Sequence, residues 1–367
     1  MMWNDIVENQ ASGSGHGVTS GADDGQPAAL PRPRSARRTV PRGDGDVTPA
    51  MTRTGAPRPR FAHVAALVRS DAELLGAASG WVRDGIDADD LVVIAGSPSF
   101  QQAVAEQFGD EDRVVFDDRV RPNGRRGPDA LSAVIAASRK AAGSGSGRLR
   151  VVAQVDQPDD PRVTREFACL ESASNLMPIE APVTTLCLYD ERRLPAELVR
   201  AAGATHPDVL TPEGVRPSDG FLEPQDYVRG LGVLEEPLQD TPPLLAIDDA
   251  ASLADLRHAL GAQLSRSMAA GDGREDLHLA ISETAANAFR HGGRPVGARM
   301  WASDDRLIVT ISDGGDGVDP LRGYWPAHGR DLSRGGMGLW LARKLCDHVD
   351  LISDERGTTV RLATALR

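Results

Sequence analysis

Residues Ser312–Pro320 read SDGGDGVDP, and the run just before them, Arg306–Ile311, reads RLIVTI. The apolar alternation of RLIVTI predicts a strand, with Asp313 standing at its end. Two aspartates and three glycines then take five of the six positions from Asp313 to Val318. Glycine at that density costs backbone entropy, so the segment must need a chain bare of side chains. Taken alone, Asp313, Gly315 and Gly317 in the pattern Asp-x-Gly-x-Gly equally describe a tight turn. What decides between the two readings is the sequence on either side.

Upstream, REDLHLAISETAANAFRHGG (274–293) places Leu277, Ile281, Thr284 and Ala288 at helical spacing, so a helix with one apolar face is expected. Glu283, Asn287 and Arg290 fall at i, i+4 and i+7 on a different stripe of that helix. Gly292 and Gly293 supply its stop signal, and His291 suits the negative end of the dipole, with a phosphate contact as the alternative. Downstream, SRGGMGLWLARKLCDHVD (333–350) brings Gly335, Gly336 and Gly338 directly into a helix with Leu339, Ala342 and Cys346 on its apolar stripe. Free peptide N–H groups at a helix start, with glycines admitting a close approach, make an anion site.

The order of these clusters resembles the GHKL ATP-binding superfamily: a helix with an acid and an amide, a strand ending in Asp-x-Gly-x-Gly, a loop, a Gly-x-Gly-Leu helix and a final hairpin. The resemblance covers about residues 244–367 and is closest to the RsbW-type anti-sigma-factor serine kinases, whose last strand is similar to GTTVRL, Gly357–Leu362. It implies an α/β sandwich holding ATP and Mg²⁺. Asp313 would accept the exocyclic N–H of adenine, and Gly315 and Gly317 would leave room for the purine. Asn287 would hold Mg²⁺, Gly336 and Gly338 with Leu339 would begin the phosphate-binding helix, and Glu283 would act as general base. Thr359 would lie near the adenine, residues 318–334 would form the ATP lid, and Arg290 or Arg334 would help neutralise phosphate charge.

Outside this region the chain reads as three further parts. Residues 1–60 are dominated by Gly, Pro, Ser and Arg with no hydrophobic period, and a disordered tail is expected. In residues 61–220 short apolar runs such as DDLVVIAG, DRVVFDD, RLRVVAQVD and PVTTLCLYD alternate with helical stretches, which predicts a mostly parallel sheet covered on both faces. No phosphate loop with its lysine occurs there. VTTLCLYDERRLPAELVRAAGATHP and EFACLESASNL resemble a MEDS-type sensory domain, with Cys187-Leu188-Tyr189-Asp190 where that family often has Cys-Pro-Tyr-Asp. Residues 221–243 are proline-rich and read as a linker.

The chain has 367 residues, a formal net charge of -12 and a pI near 5.2, which argues against nucleic acid as its main partner. Cys169, Cys187 and Cys346 are far apart and lack zinc-ligand spacing, so buried reduced thiols are expected, and His63 and His206 read as structural. No apolar run approaches the ~20 residues that span a bilayer, and the start lacks a signal-peptide pattern, so a cytoplasmic location is expected. His258 lies on a helix marked by Leu253, Leu256, Leu260 and Leu264; one helix there leaves no room for the two-helix element of a histidine kinase. The expected function is a regulator that phosphorylates Ser or Thr of a STAS-type anti-sigma-factor antagonist and sequesters a sigma factor, alone or as a homodimer, under control of residues 61–220. The alternative is a non-catalytic, nucleotide-dependent binder of the same partners.

Overall fold

The computed structural model describes residues 61–121, 126–143, 145–158, 160–327 and 336–366. The tail expected over residues 1–60 and the part of the lid beyond Ala327, Arg334 included, lie outside them. Two sheets organise the described residues, one in each sequence half.

The first sheet has seven strands: β1 (Phe61–Val68), β2 (Leu91–Ala95), β3 (Val114–Phe116), β4 (Leu149–Gln154), β5 (Val183–Asp190), β6 (Asp208–Thr211) and β7 (Gly214–Pro217), in the order β3-β2-β4-β5-β1-β6-β7. All pairings are parallel except the terminal β6–β7 hairpin. The parallel sheet expected from strand–helix alternation is therefore present. Five helices cover it: α1 (Asp71–Asp87), α2 (Pro98–Phe108), α3 (Gly127–Ala142), α4 (Pro161–Ser174) and α5 (Ala196–Thr205). Local sequence starts these helices. Ser70 accepts the Glu73 N–H, while Glu73 reaches back to the Arg69 N–H. Asp160 caps α4, with Pro161 in its first turn. The interior strand β1, FAHVAALV, and the terminal hairpin β6–β7 were not anticipated. Three alanines and a histidine in β1 weaken the β-branched signal that marks β2 and β4.

Residues 221–243 carry a short helix, α6 (Pro224–Gly230), whose Val228 is buried in the core shared with α3 and α4.

The second sheet is antiparallel, in the order β11-β12-β10-β9-β8, from β8 (Leu245–Ile247), β9 (Gly297–Ala302), β10 (Arg306–Asp313), β11 (His348–Asp354) and β12 (Gly357–Ala365). One face is covered by α7 (Leu253–Ser267), α8 (Asp272–His291) and α9 (Gly338–Leu345). Leu256, Leu260, Leu264, Leu277 and Ile281 from two of these helices meet Val309, Ile311 and Leu362 from the strands. The expected apolar face of α8 is the one buried. The single helix α7 precedes α8 and packs on it, and His258 is exposed. This two-layer arrangement matches the α/β sandwich implied by the resemblance.

The layers of the two sequence halves meet along α3 and α4. Leu321 and Tyr324, which follow β10, share an apolar cluster with Leu131, Val134 and Leu170 of those helices.

Candidate functional site

A cavity of about 580 Å³ opens between α8, the end of β10, β12 and the start of α9. That is an ordinary size for a site that takes a small ligand. Asn287, Asp313, Gly315, Gly317, Gly336, Gly338 and Leu339 all line it, so the three sequence clusters converge on one space.

Each is placed by its element. On β10 Leu307, Val309 and Ile311 face the helices, and alternation carries Asp313 to the same side at the strand's end. Its Oδ1 accepts the Gly315 N–H at 2.9 Å, which folds the glycine turn back over the carboxylate. Burial pushes the Asp313 carboxyl above its ordinary value, although the N–H groups of Gly315 and Gly293 pull the other way. Gly317 has φ +100, a conformation that side-chain-bearing residues rarely adopt.

Asn287 lies on the cavity side of α8 with Thr284, Ala288 and His291. A Cβ on Gly338 would stand 2.5 Å from Asn287 Nδ2 and 3.4 Å from its Oδ1. The first residue of α9 must therefore be glycine for the amide to reach the helix start. The N-cap Met337 offers no side-chain cap to α9, so among the described residues its leading N–H groups are left for another acceptor. A carboxylate at one end and a bare helix start at the other suit a ligand with a donor ring and an anionic tail.

Three expected residues stand apart. Glu283, one turn before Asn287, is half-buried, does not line the cavity, and makes no hydrogen bond or ion pair among the described residues. Arg290 is exposed and outside the lining. Thr359 is also outside it. It pairs with Ser312 on the far face of the sheet, while Thr358, opposite Asp313, and Val360 form the wall. The sequence carried that signal: Val360 and Leu362 are apolar, and Thr358 shares their parity. Arg322, Trp325 and Trp340 line the cavity without having been singled out: Arg322 and Trp325 enter from the 318–334 loop and Trp340 follows Leu339, at positions whose side chains the motifs do not specify.

The segment that follows β10 is tied to the other sequence half. Tyr324 Oη donates to Glu166 Oε1 on α4 at 2.9 Å. The buried Arg343 of α9 lies over the Tyr324 ring at 4.2 Å, donates to the carbonyls of Pro320 and Arg322, and stands 3.6 Å from Glu166 Oε2. Arg165 of α4 donates to Asp350 at 2.9 Å, and Lys344 pairs with Asp129 of α3 at 2.6 Å.

Comparison with known proteins agrees with both resemblances. Residues 247–364 match the family model of the histidine kinase-like ATPase domain, and residues 62–207 match MEDS, the methanogen/methylotroph, DcmR sensory domain. The chain is 36% identical over 123 residues to the serine-protein kinase RsbW of Bacillus velezensis, covering 30% of this chain and 76% of that protein. It is 35% identical over 123 residues to RsbW of Bacillus subtilis, with the same coverage of 30% and 76%. Against RsbW of Staphylococcus epidermidis it is 31% identical over 120 residues, which is 29% of this chain and 75% of that one.

Proposed function

The chain belongs, through its C-terminal domain, to the family of RsbW serine-protein kinases, and from that premise we propose that it is an ATP-dependent protein kinase acting on a Ser or Thr of an anti-sigma-factor antagonist of the STAS type. The observation that carries this reading is the convergence of Asn287, Asp313 and the glycine-lined start of α9 on one cavity. Asp313 accepts the adenine amino group, with Thr358 beside it in the wall. Asn287 provides the amide oxygen for Mg²⁺, which prefers few protein ligands and keeps several waters. The N–H groups at Gly336 and Gly338 receive phosphate, and Arg322 is the cation best placed to face it. When bound, Mg²⁺ neutralises phosphate charge, and the protein's share of phosphoryl transfer is positioning and electrostatics. Glu283 is the base for the acceptor hydroxyl. The same module binds a sigma factor, alone or as a homodimer. Residues 61–220 set its activity through α4, whose Arg165 and Glu166 hold β11, α9 and the base of the lid.

The second reading, a nucleotide-dependent binder without turnover, is favoured by one observation: Glu283 lies outside the cavity lining. Incubating the chain with labelled ATP and candidate STAS-type proteins separates the two. Acid-stable label on the antagonist is expected of the kinase. Binding of ATP without transfer to any candidate leaves the passive binder, and acid-labile label on the chain itself would return the histidine-kinase reading.

A further inference from the structure

Four chemically active side chains meet in the N-terminal domain, three of them within the two stretches that resemble the sensory domain. His63 comes from β1, Cys187 from the neighbouring strand β5, Glu171 from α4, and His206 from the residue that ends α5. All four are buried, with exposures of 3%, 3%, 5% and 0%. Their ligand atoms lie within 4.8 Å of one another. Glu171 Oε2 is 3.2 Å from His63 Nε2 and 3.1 Å from His206 Nε2, and Cys187 Sγ is 3.5 Å from His63 Nε2.

The outer contacts determine which nitrogens carry protons. His206 Nδ1 stands 2.9 Å from the Ala202 carbonyl oxygen, which only accepts, so Nδ1 bears the hydrogen. On His63, Nδ1 faces Asn175 Oδ1 at 3.2 Å. The Asn175 amide nitrogen is already donating to the carbonyls of Glu171, Ser172 and Thr205, so its oxygen is the acceptor there. In a neutral ring both Nε2 atoms are then lone pairs, and both point at a carboxylate oxygen that is also an acceptor. His206 Nε2 has no hydrogen-bond partner despite its closeness to Glu171. Acceptors gathered this tightly in a buried space repel unless a positive centre lies among them. A histidine whose second ring nitrogen donates to a carbonyl or amide oxygen is also the usual outer support of a metal ligand.

We propose that His63 Nε2, His206 Nε2, Glu171 Oε2 and Cys187 Sγ form a closed, four-coordinate site for a divalent transition metal of the zinc class. Two imidazoles, a carboxylate and a thiolate are the donor mixture that zinc and its d-block neighbours accept. Ligands about 2.0–2.3 Å from such an ion stand roughly 3.3–3.8 Å apart in a tetrahedron. The 3.1, 3.2 and 3.5 Å separations lie at or near that range, so small side-chain shifts complete the shell. With four protein ligands the ion has no open position, so its part is binding rather than catalysis. The Cys187 S–H bond gives up its proton as the metal–sulfur bond forms, so loading releases one proton. The site is independent of the ATP cavity.

The test uses the full chain, stripped with a chelator and titrated with Co²⁺ as a spectroscopic probe. One Co²⁺ per chain is expected, with four-coordinate visible bands and a near-ultraviolet thiolate-to-metal band, all removed by Zn²⁺. Cys187→Ala should lose the thiolate band. Asn175→Ala, which removes the acceptor for His63 Nδ1 together with a donor to the Glu171 carbonyl, should weaken binding by ~10–100-fold. Should Cys187→Ala fail to fold, the double variant Cys169→Ala, Cys346→Ala leaves Cys187 the sole thiol and must keep the band. No stoichiometric uptake, or a thiolate band that survives Cys187→Ala or disappears in the double variant, would overturn the site and leave a proton-bridged network.

Discussion

Asp313 and Glu283 are both carboxylates, yet the structure gives them opposite settings. Asp313 is held at a strand end inside the cavity, with one oxygen already accepting the Gly315 N–H. Asp313→Asn turns an acceptor into a group that can present N–H to the adenine N–H. ATP affinity should fall by the ~1.5–3 kcal/mol of a charged hydrogen bond, roughly tenfold or more. Calorimetry showing unchanged affinity in a folded variant would remove the residue from adenine recognition. Glu283 has no partner among the described residues and stays one turn from Asn287. Glu283→Gln keeps its size and removes the base. Phosphorylation of the antagonist should slow by at least ~10²-fold while ATP binding is retained. Equal rates in variant and parent would show that the half-buried position is not the catalytic one.

Among the elements, α4 reaches both the ATP-binding layer and the His–Cys cluster. One turn of it carries Arg165 and Glu166 to the ATP-binding layer, and its last turns carry Glu171 into the His–Cys cluster. Tyr324 is the contact on which the lid base turns, since its hydroxyl meets Glu166 and its ring supports Arg343. Burial pushes the Glu166 carboxyl upward against the pull of Arg343, so the Tyr324 O–H matters to its solvation. Tyr324→Phe should destabilise the fold by about 1–3 kcal/mol in denaturant titration. It should also speed amide exchange over residues 318–327. Exchange at the parent rate would mean that α4 does not hold the lid base.

At the scale of the whole molecule, the two layers are joined by ion pairs that differ in their response to acid. Arg162 of α4 donates to both oxygens of the buried Glu236, at 2.5 and 2.8 Å, and Arg306 of β10 lies 3.7 Å away. Burial alone would raise the Glu236 carboxyl, but the Arg162 hydrogen bonds and the charges of Arg162, Arg361 and Arg306 outweigh it and hold it below the ordinary 4.5. A lowered carboxyl contributes stability that is present above 4.5 and is lost as pH falls through the lowered value. Asp160 and Asp347, at the same junction, are lowered as well. Thermal unfolding should therefore lose stability as pH falls from 4.5 through the lowered value, and Glu236→Gln should flatten the dependence. An identical pH profile in the variant would detach Glu236 from the junction.

The ATP-binding half was legible because its chemistry is local: the glycine turn after Asp313, the Asn287 stripe and the Gly338 helix start each need only neighbouring residues. The parallel sheet was legible from strand–helix alternation, except at β1 and β6: in β1 three alanines and a histidine replace the β-branched residues that mark β2 and β4. Sequence by itself thus determined the fold class, the order of motifs and seven of the residues that line the cavity. It expected Thr359 near that space, whereas Thr358 is the one in the wall, because a one-residue shift on a strand exchanges the two faces of the sheet. Only the tertiary structure decided that His63, Glu171, Cys187 and His206 meet. They are separated by up to 143 positions, and no spacing rule survives when parallel strands and crossover helices close that distance. The same holds for Glu166 under Tyr324: a contact between side chains 158 residues apart is set by the packing of whole layers, and no periodicity along the chain records it.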